Sequence, residues 1–372
     1  MSRSARTAEV PRPPRALVRD MTATASPDGA VAPEVILEAR PAVDFLVSLM
    51  LDTESELLPA DRAWLDESLA SLSDPLRRDH ARLFGQSPAG KGLGGTLVPL
   101  AVVDRGVRTA ADVVALAGRF EAGDIIACAC DDDELRVPLQ LAARVLAGET
   151  SLRDEAVAAC PDILRAAVGR ILDDPAGEMR ALRRVLRAWA ERFASIEARV
   201  AAMEQRDVDG RRADLERLPL ADFVERATGG VRWVPEPGTR RLYLIPSYFT
   251  RPYNYVFGGR DWHMFAYPLA EAALDGDPGA VPAASVRLFK ALGDESRLRI
   301  LRLLASGDLY LTEIAERMGL SKPTVSHHLA LLRAAGLVTI TEAGALTYYT
   351  LRRDRIAEAG VELTRLLAGP RN

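Results

Sequence analysis

Apolar residues recur along the chain with helical spacing for most of its length. The clearest run spans 177–206, where Met179, Leu182, Leu186, Trp189, Phe193, Ile196, Val200 and Met203 fall alternately three and four positions apart. That period marks one apolar stripe on a helix roughly 45 Å long. A stripe of this kind suits either a dimeric coiled coil or the spine of a helical domain. Trp189 and Phe193 are too wide for a narrow two-stranded seam, so a spine is expected. Shorter helices are expected at 110–120 behind the Thr109 cap, and over 137–147, 152–160 and 162–172. Asp74 and Pro75 open another.

The pattern changes after residue 230. Between Trp233 and Tyr267 lie ten of the chain's 21 aromatic residues. Runs at 231–235, 242–246, 253–257 and 264–267 alternate or stay apolar, broken by Pro237-Gly238 and Gly258-Gly259. They predict a small antiparallel sheet within 231–268. A Gly- and Pro-rich linker over 275–283 follows.

Beyond the linker the helical period returns in short pieces. A helix at 284–292 ends at Gly293, and Asp294 caps a second with Leu298, Leu301 and Leu304 on one face. Thr312 is placed to cap 313–318, and Gly319 supplies a tight turn. Ser321 caps 322–335, with Pro323 in the first turn, where a missing N–H costs nothing. Strands at 337–341 and 346–351 form a hairpin, and a helix over 353–368 presents Ile356, Leu363, Leu366 and Leu367. The expected fold is mainly α with small β. Residues 1–32 form a basic, Pro-rich arm; 33–274 form a mostly helical domain; 284–372 form a winged helix-turn-helix.

Charge sharpens this division. Residues 281–372 carry 13 basic and 9 acidic side chains, net +4, which leaves −8 on the rest of a chain whose total is −4. A basic module on an acidic body suits nucleic-acid binding. A major groove about 12 Å wide admits one helix, whose exposed first turns meet base edges. Those positions are Ser321, Lys322, Thr324, Ser326 and His327. Arg317, Arg333, Arg352 and Arg353 are candidates for phosphate contacts.

Four segments stand in order at 289–301 (FKALGDESRLRIL), 311–315 (LTEIA), 321–329 (SKPTVSHHL) and 332–338 (LRAAGLV). Together they resemble the ArsR/SmtB family of bacterial repressors. The resemblance covers about 85 residues. It implies a homodimer built by the first and last helices of the module, an inverted-repeat DNA operator, and repression released by an effector. It also implies that His328 supports the recognition helix while His327 is exposed. The sequence departs from the family's metal sensors: 308–314 (DLYLTEI) has no Cys, and the last helix has no His. Neither customary metal site can form. Between Thr339 and Leu351 the wing lacks basic residues, so its grip on phosphates should be weak.

The segments 242–252 (LYLIPSYFTRP) and 264–268 (MFAYP) resemble a subgroup of ArsR-like regulators with a long N-terminal region. Three readings of that region stay open. It senses a small organic effector, with Tyr248, Arg251, Tyr253, Tyr255 and Trp262 lining a pocket. It senses thiols or soft metals through Cys128 and Cys130, beside Asp131, Asp132 and Asp133. Or it only enlarges a dimer interface.

Catalysis is not expected. The chain has no Gly-x-Ser-x-Gly, phosphate loop, His-Glu-x-x-His or dinucleotide fingerprint. Outside the DNA module its only histidines are His80 and His263. No cofactor, metal or membrane partner is expected. Three cysteines make no disulfide framework, and without an export signal the cytoplasm is the expected compartment.

Overall fold

The computed structural model describes residues 32–51, 57, 59–87, 90–91, 97–99, 101, 106–129, 136–160, 162–235, 238–251, 253–259, 261–274, 283–343 and 346–367. The expected arm up to residue 31, the linker over 275–282, Cys130 and the side chain of Cys128 lie outside them.

The N-terminal domain runs β1 (Glu34–Leu37), α1 (Pro41–Ser48), α2 (Pro59–Ser71), α3 (Asp74–Phe84), α4 (Ala110–Arg119), α5 (Ala122–Ala129), α6 (Arg136–Leu146), α7 (Arg153–Ala159) and α8 (Asp162–Asp173). It continues through α9 (Pro175–Arg217), α10 (Leu220–Thr228), β2 (Val231–Trp233), β3 (Arg241–Ser247), β4 (Tyr255–Gly259) and β5 (Trp262–Pro268).

Helix α9 is the axis of this domain. The Asp174 carboxylate accepts from the Gly177 amide at 2.8 Å, and Pro175 occupies the first turn. Every stripe residue but Ile196 is buried, and Ile196 packs against the same core. The stripe is therefore an internal spine, and its 43 residues extend past the expected end. Beyond Met203 the buried positions turn polar, which hides them from an apolar period. Asp207 accepts from the Tyr267 hydroxyl at 3.0 Å, from the Ala270 amide at 2.7 Å and from Arg211 Nε at 2.6 Å.

The sheet differs from the expected antiparallel one. Its order is β1–β3–β5–β4, with β3 parallel to both neighbours and only β4–β5 antiparallel. The reason lies in the run from Leu242 to Ser247, buried without alternation. Strands covered on both faces suit parallel pairing. A further difference decides the domain arrangement: β2 leaves this sheet and joins the wing.

A buried acid pair ties α1 and α9 to the end of β3. The Asp44 carboxylate accepts from the Ser247 hydroxyl and from the amides of Tyr248 (2.7 Å) and Phe249 (3.2 Å). Burial raises its carboxyl to about 6, against the pull of these donors and of Arg251. Burial, and then repulsion from Asp44, pushes Glu204 well above the usual carboxylate range. Unfolded, both acids ionise near pH 4. The pair's contribution to stability is therefore full below that pH and is lost as pH rises through about 6 and beyond. Glu204→Gln should flatten this decline in a melting-temperature series from pH 5 to 8. An equally steep decline in the variant would mean that the pair is not its source.

The C-terminal domain comprises α11 (Ala283–Leu292), α12 (Glu295–Leu304), β6 (Leu309–Tyr310), α13 (Leu311–Met318), α14 (Lys322–Ala334), β7 (Val338–Ala343), β8 (Leu346–Leu351) and α15 (Arg353–Leu367). Leu288, Ile300, Leu304, Ile314, Val325, Leu329, Leu332 and Leu337 form a core separate from that around α9. Two local details differ from the sequence pattern. Leu298, grouped on one face with buried Leu301 and Leu304, is 48% exposed. Helix α13 starts one residue before Thr312, and its end is closed by the Glu313 carboxylate, which accepts from the Tyr310 amide at 3.0 Å.

Candidate DNA-binding surface

The two helices α13 and α14 are set by their turn. Gly319 has φ +67°, a left-handed conformation that glycine adopts without strain. Two residues later the Ser321 hydroxyl accepts from the Thr324 amide at 3.3 Å and lies 2.8 Å from the Thr324 hydroxyl. This cap starts α14 with Ser321, Lys322 and Thr324 exposed. Val325, Leu329 and Leu332 anchor the opposite side in the core. Strands β7 and β8 form the antiparallel wing, with β6 pairing on β8.

The remaining candidates divide. Arg317 is exposed, 3.9 Å from Glu313. Arg352 pairs with Asp354 at 2.9 Å, and exposed Arg353 donates to the Ala305 carbonyl. Arg333 departs from the expectation of a solvent-facing cation. It is 4% exposed, and its Nη1 donates to the Thr228 carbonyl at 2.9 Å. Thr228 ends α10, so the cation faces the negative end of that helix. His327, expected exposed, is half-buried, with Nδ1 2.7 Å from the Tyr253 hydroxyl. His328 packs near Asp294, and burial lowers its pKa, so the ring stays neutral at pH 7.

The N-terminal domain thus sits against α14 and the wing. Val231 pairs with Ile340, and Trp233 with Glu342, in parallel, giving the sheet order β2–β7–β8–β6. The Ile340 amide donates to the Gly230 carbonyl at 2.7 Å. A cleft of about 130 Å³ lies at this junction, lined by Tyr253, Asn254 and Val256 on one side and Ser326 and Ala330 on the other. Sequence reasoning missed this junction. Its signal was the short strand Val231–Trp233 directly behind Gly229-Gly230, which has too few residues to reveal its partner.

The five residues assigned to an effector pocket do not converge on one cavity. Tyr248, Arg251 and Trp262 are buried in the domain. The Arg199 and Arg251 guanidinium groups lie 5.3 and 5.6 Å from the Tyr248 ring centre. Tyr255 packs half-buried on the main core, and Tyr253 faces His327 instead. Among the described residues no group of three His, Cys, Asp or Glu side chains is placed to hold a metal, and no helix is long and apolar enough to cross a membrane. Buried Cys160 donates its thiol to the Ala156 carbonyl at 3.3 Å.

An exposed, capped first turn behind a tight glycine corner, flanked by a two-stranded wing, defines a winged helix-turn-helix DNA-binding protein. The model of the bacterial regulatory protein arsR family matches residues 294–339. An HTH-type transcriptional regulator of Methanocaldococcus jannaschii is 39% identical over 75 residues, 20% of this chain and 84% of that one. The transcriptional repressor SdpR of Bacillus subtilis is 42% identical over 64 residues, 17% of this chain and 71% of that one. Among solved structures, HlyU from Vibrio cholerae shares 38% identity over 23% of this chain and 91% of its own, with a TM-score of 0.19. The chain belongs to the ArsR family of bacterial regulatory proteins, and it is a DNA-binding transcriptional regulator.

Proposed function

We propose that the chain binds an inverted-repeat operator as a homodimer, represses from it, and answers to a small organic effector through its N-terminal domain. The exposed turn of Ser321, Lys322 and Thr324 carries the DNA-reading part. Lysine donates to guanine edges or phosphates, and hydroxyls pair with donors or acceptors. Arg317, Arg352 and Arg353 are the candidates for contacts to the phosphates. Support for the dimer comes from apolar side chains on the first and last helices of the module. Val286, Ile356, Val361, Leu363 and Leu367 are exposed, Leu367 to 77%. A second copy would cover them. SdpR is named a repressor, and HlyU of Vibrio cholerae an activator. The effector reading rests on the contact between the N-terminal domain and α14, through which a change in one reaches the other. It commits to no metal. Cytoplasmic location fits a regulator of this kind.

The test is selection of bound duplexes from a random pool by the full chain at fixed salt, with sedimentation of the complex. A palindromic motif bound by two copies is expected. Enrichment of no motif, with affinity merely falling as salt rises, would overturn the reading.

A further inference from the structure

A helix with its side chains measures about 10–12 Å across, so it fills a major groove about 12 Å wide by itself. Whatever stands on the outward face of α14 therefore competes with DNA. At 3.6 residues per turn, His327 lies about 200° round the helix from Val325. It is thus opposite the buried stripe of Val325, Leu329 and Leu332. His327 is the side chain that Tyr253 holds at 2.7 Å.

The cover continues along the helix. Ala330, one turn on, is 8% exposed and shares the cleft with Asn254 and Val256. Arg333, one turn further, is fixed to the Thr228 carbonyl, which also accepts from Asn254 Nδ2 at 3.0 Å. Strand β2 then closes the outer edge of the wing. From the recognition helix to the wing the N-terminal domain touches α14 at His327 and Arg333 and faces Ala330 across the cleft between them, while Lys322 and Thr324 stay exposed.

We propose that the N-terminal domain and DNA compete for this one surface, and that the segment 253–256 must leave α14 before the helix seats in a groove. The arrangement described here is the closed form. This proposal rests on the DNA-binding reading above. It specifies how the N-terminal domain regulates: any ligand that favours the undocked domain favours DNA, by its differential affinity for the two forms.

The test uses the full chain carrying Tyr253→Ala with Asn254→Ala, and separately Tyr253→Phe, which keeps the ring and removes the hydroxyl. Amide hydrogen exchange over 326–334 is measured without DNA, and affinity is measured for the selected duplex. Faster exchange is expected in the double variant, with affinity raised roughly tenfold, the equivalent of one or two hydrogen bonds. Tyr253→Phe should move both readouts the same way by less. Faster exchange with unchanged or weaker binding would overturn the competition. Failure of the DNA reading looks different: no protein, wild type included, would then prefer any duplex.

Discussion

Changing Lys322 and Thr324 together to Ala should abolish the chain's preference for its operator while leaving its fold and its assembly unchanged. Both side chains are exposed on the first turn of α14, so neither contributes to the core. The cap survives, because the Ser321 hydroxyl accepts from the backbone amide of residue 324. Alanine is also a good helix former, so the turn keeps its propensity. What is lost is base readout. Each good pair of hydrogen bonds to a base discriminates by about 1–3 kcal/mol, so two such losses lower specific affinity on the order of 10²- to 10⁴-fold. Nonspecific binding should fall much less, because a single phosphate-capable cation is removed. Competition between operator and scrambled duplex measures the difference. Retained preference in the double variant would place base readout elsewhere.

The largest effect on stability is expected at Trp189. Its indole is fully buried, and Nε1 donates to the Ser48 hydroxyl at 2.8 Å. The ring meets Trp64 nearly edge-on at 5.8 Å and lies 5.1 Å from the His80 ring. That histidine is held neutral, with burial lowering its pKa to about 4. Trp189→Ala should destabilise the N-terminal domain by about 3–5 kcal/mol, because the helices around α9 cannot collapse into so large a void. That is about a fifth or more of a typical domain's stability. Urea denaturation should show the midpoint of this domain falling. The separate core around Val325 and Leu329 should keep its own transition. A loss below about 1 kcal/mol would mean that the spine is not where the domain's packing is concentrated.

Legibility followed the kind of interaction involved. The caps at Thr109, Asp294 and Ser321 are local, so residue type and spacing sufficed to place them. The stripe on α9 was equally plain, because its period is set by the helix itself. Past Met203 the signal vanished, since Glu204 and Asp207 are buried polar groups, and the Tyr267 hydroxyl and Ala270 amide that donate to Asp207 lie some 60 residues on. Strand pairing was lost for a related reason. The three residues of β2 carry no mark of whether β3 or β7 is their neighbour, and β1 preceded the region that looked strand-rich. At the site, Lys322 and Thr324 stand exposed as expected. His327 and Arg333 do not, because a second domain claims them through Tyr253 and Thr228. Sequence periodicity gives the outward face of a helix, but not what lies on it.

The most direct test of the central claim is titration of the full chain with its selected duplex and with a scrambled duplex, each at two salt concentrations. A specific regulator should bind the selected duplex at least about 10³-fold more tightly at physiological salt. Equal affinities with the same dependence on salt would contradict the claim, leaving the winged helix as a nonspecific anchor.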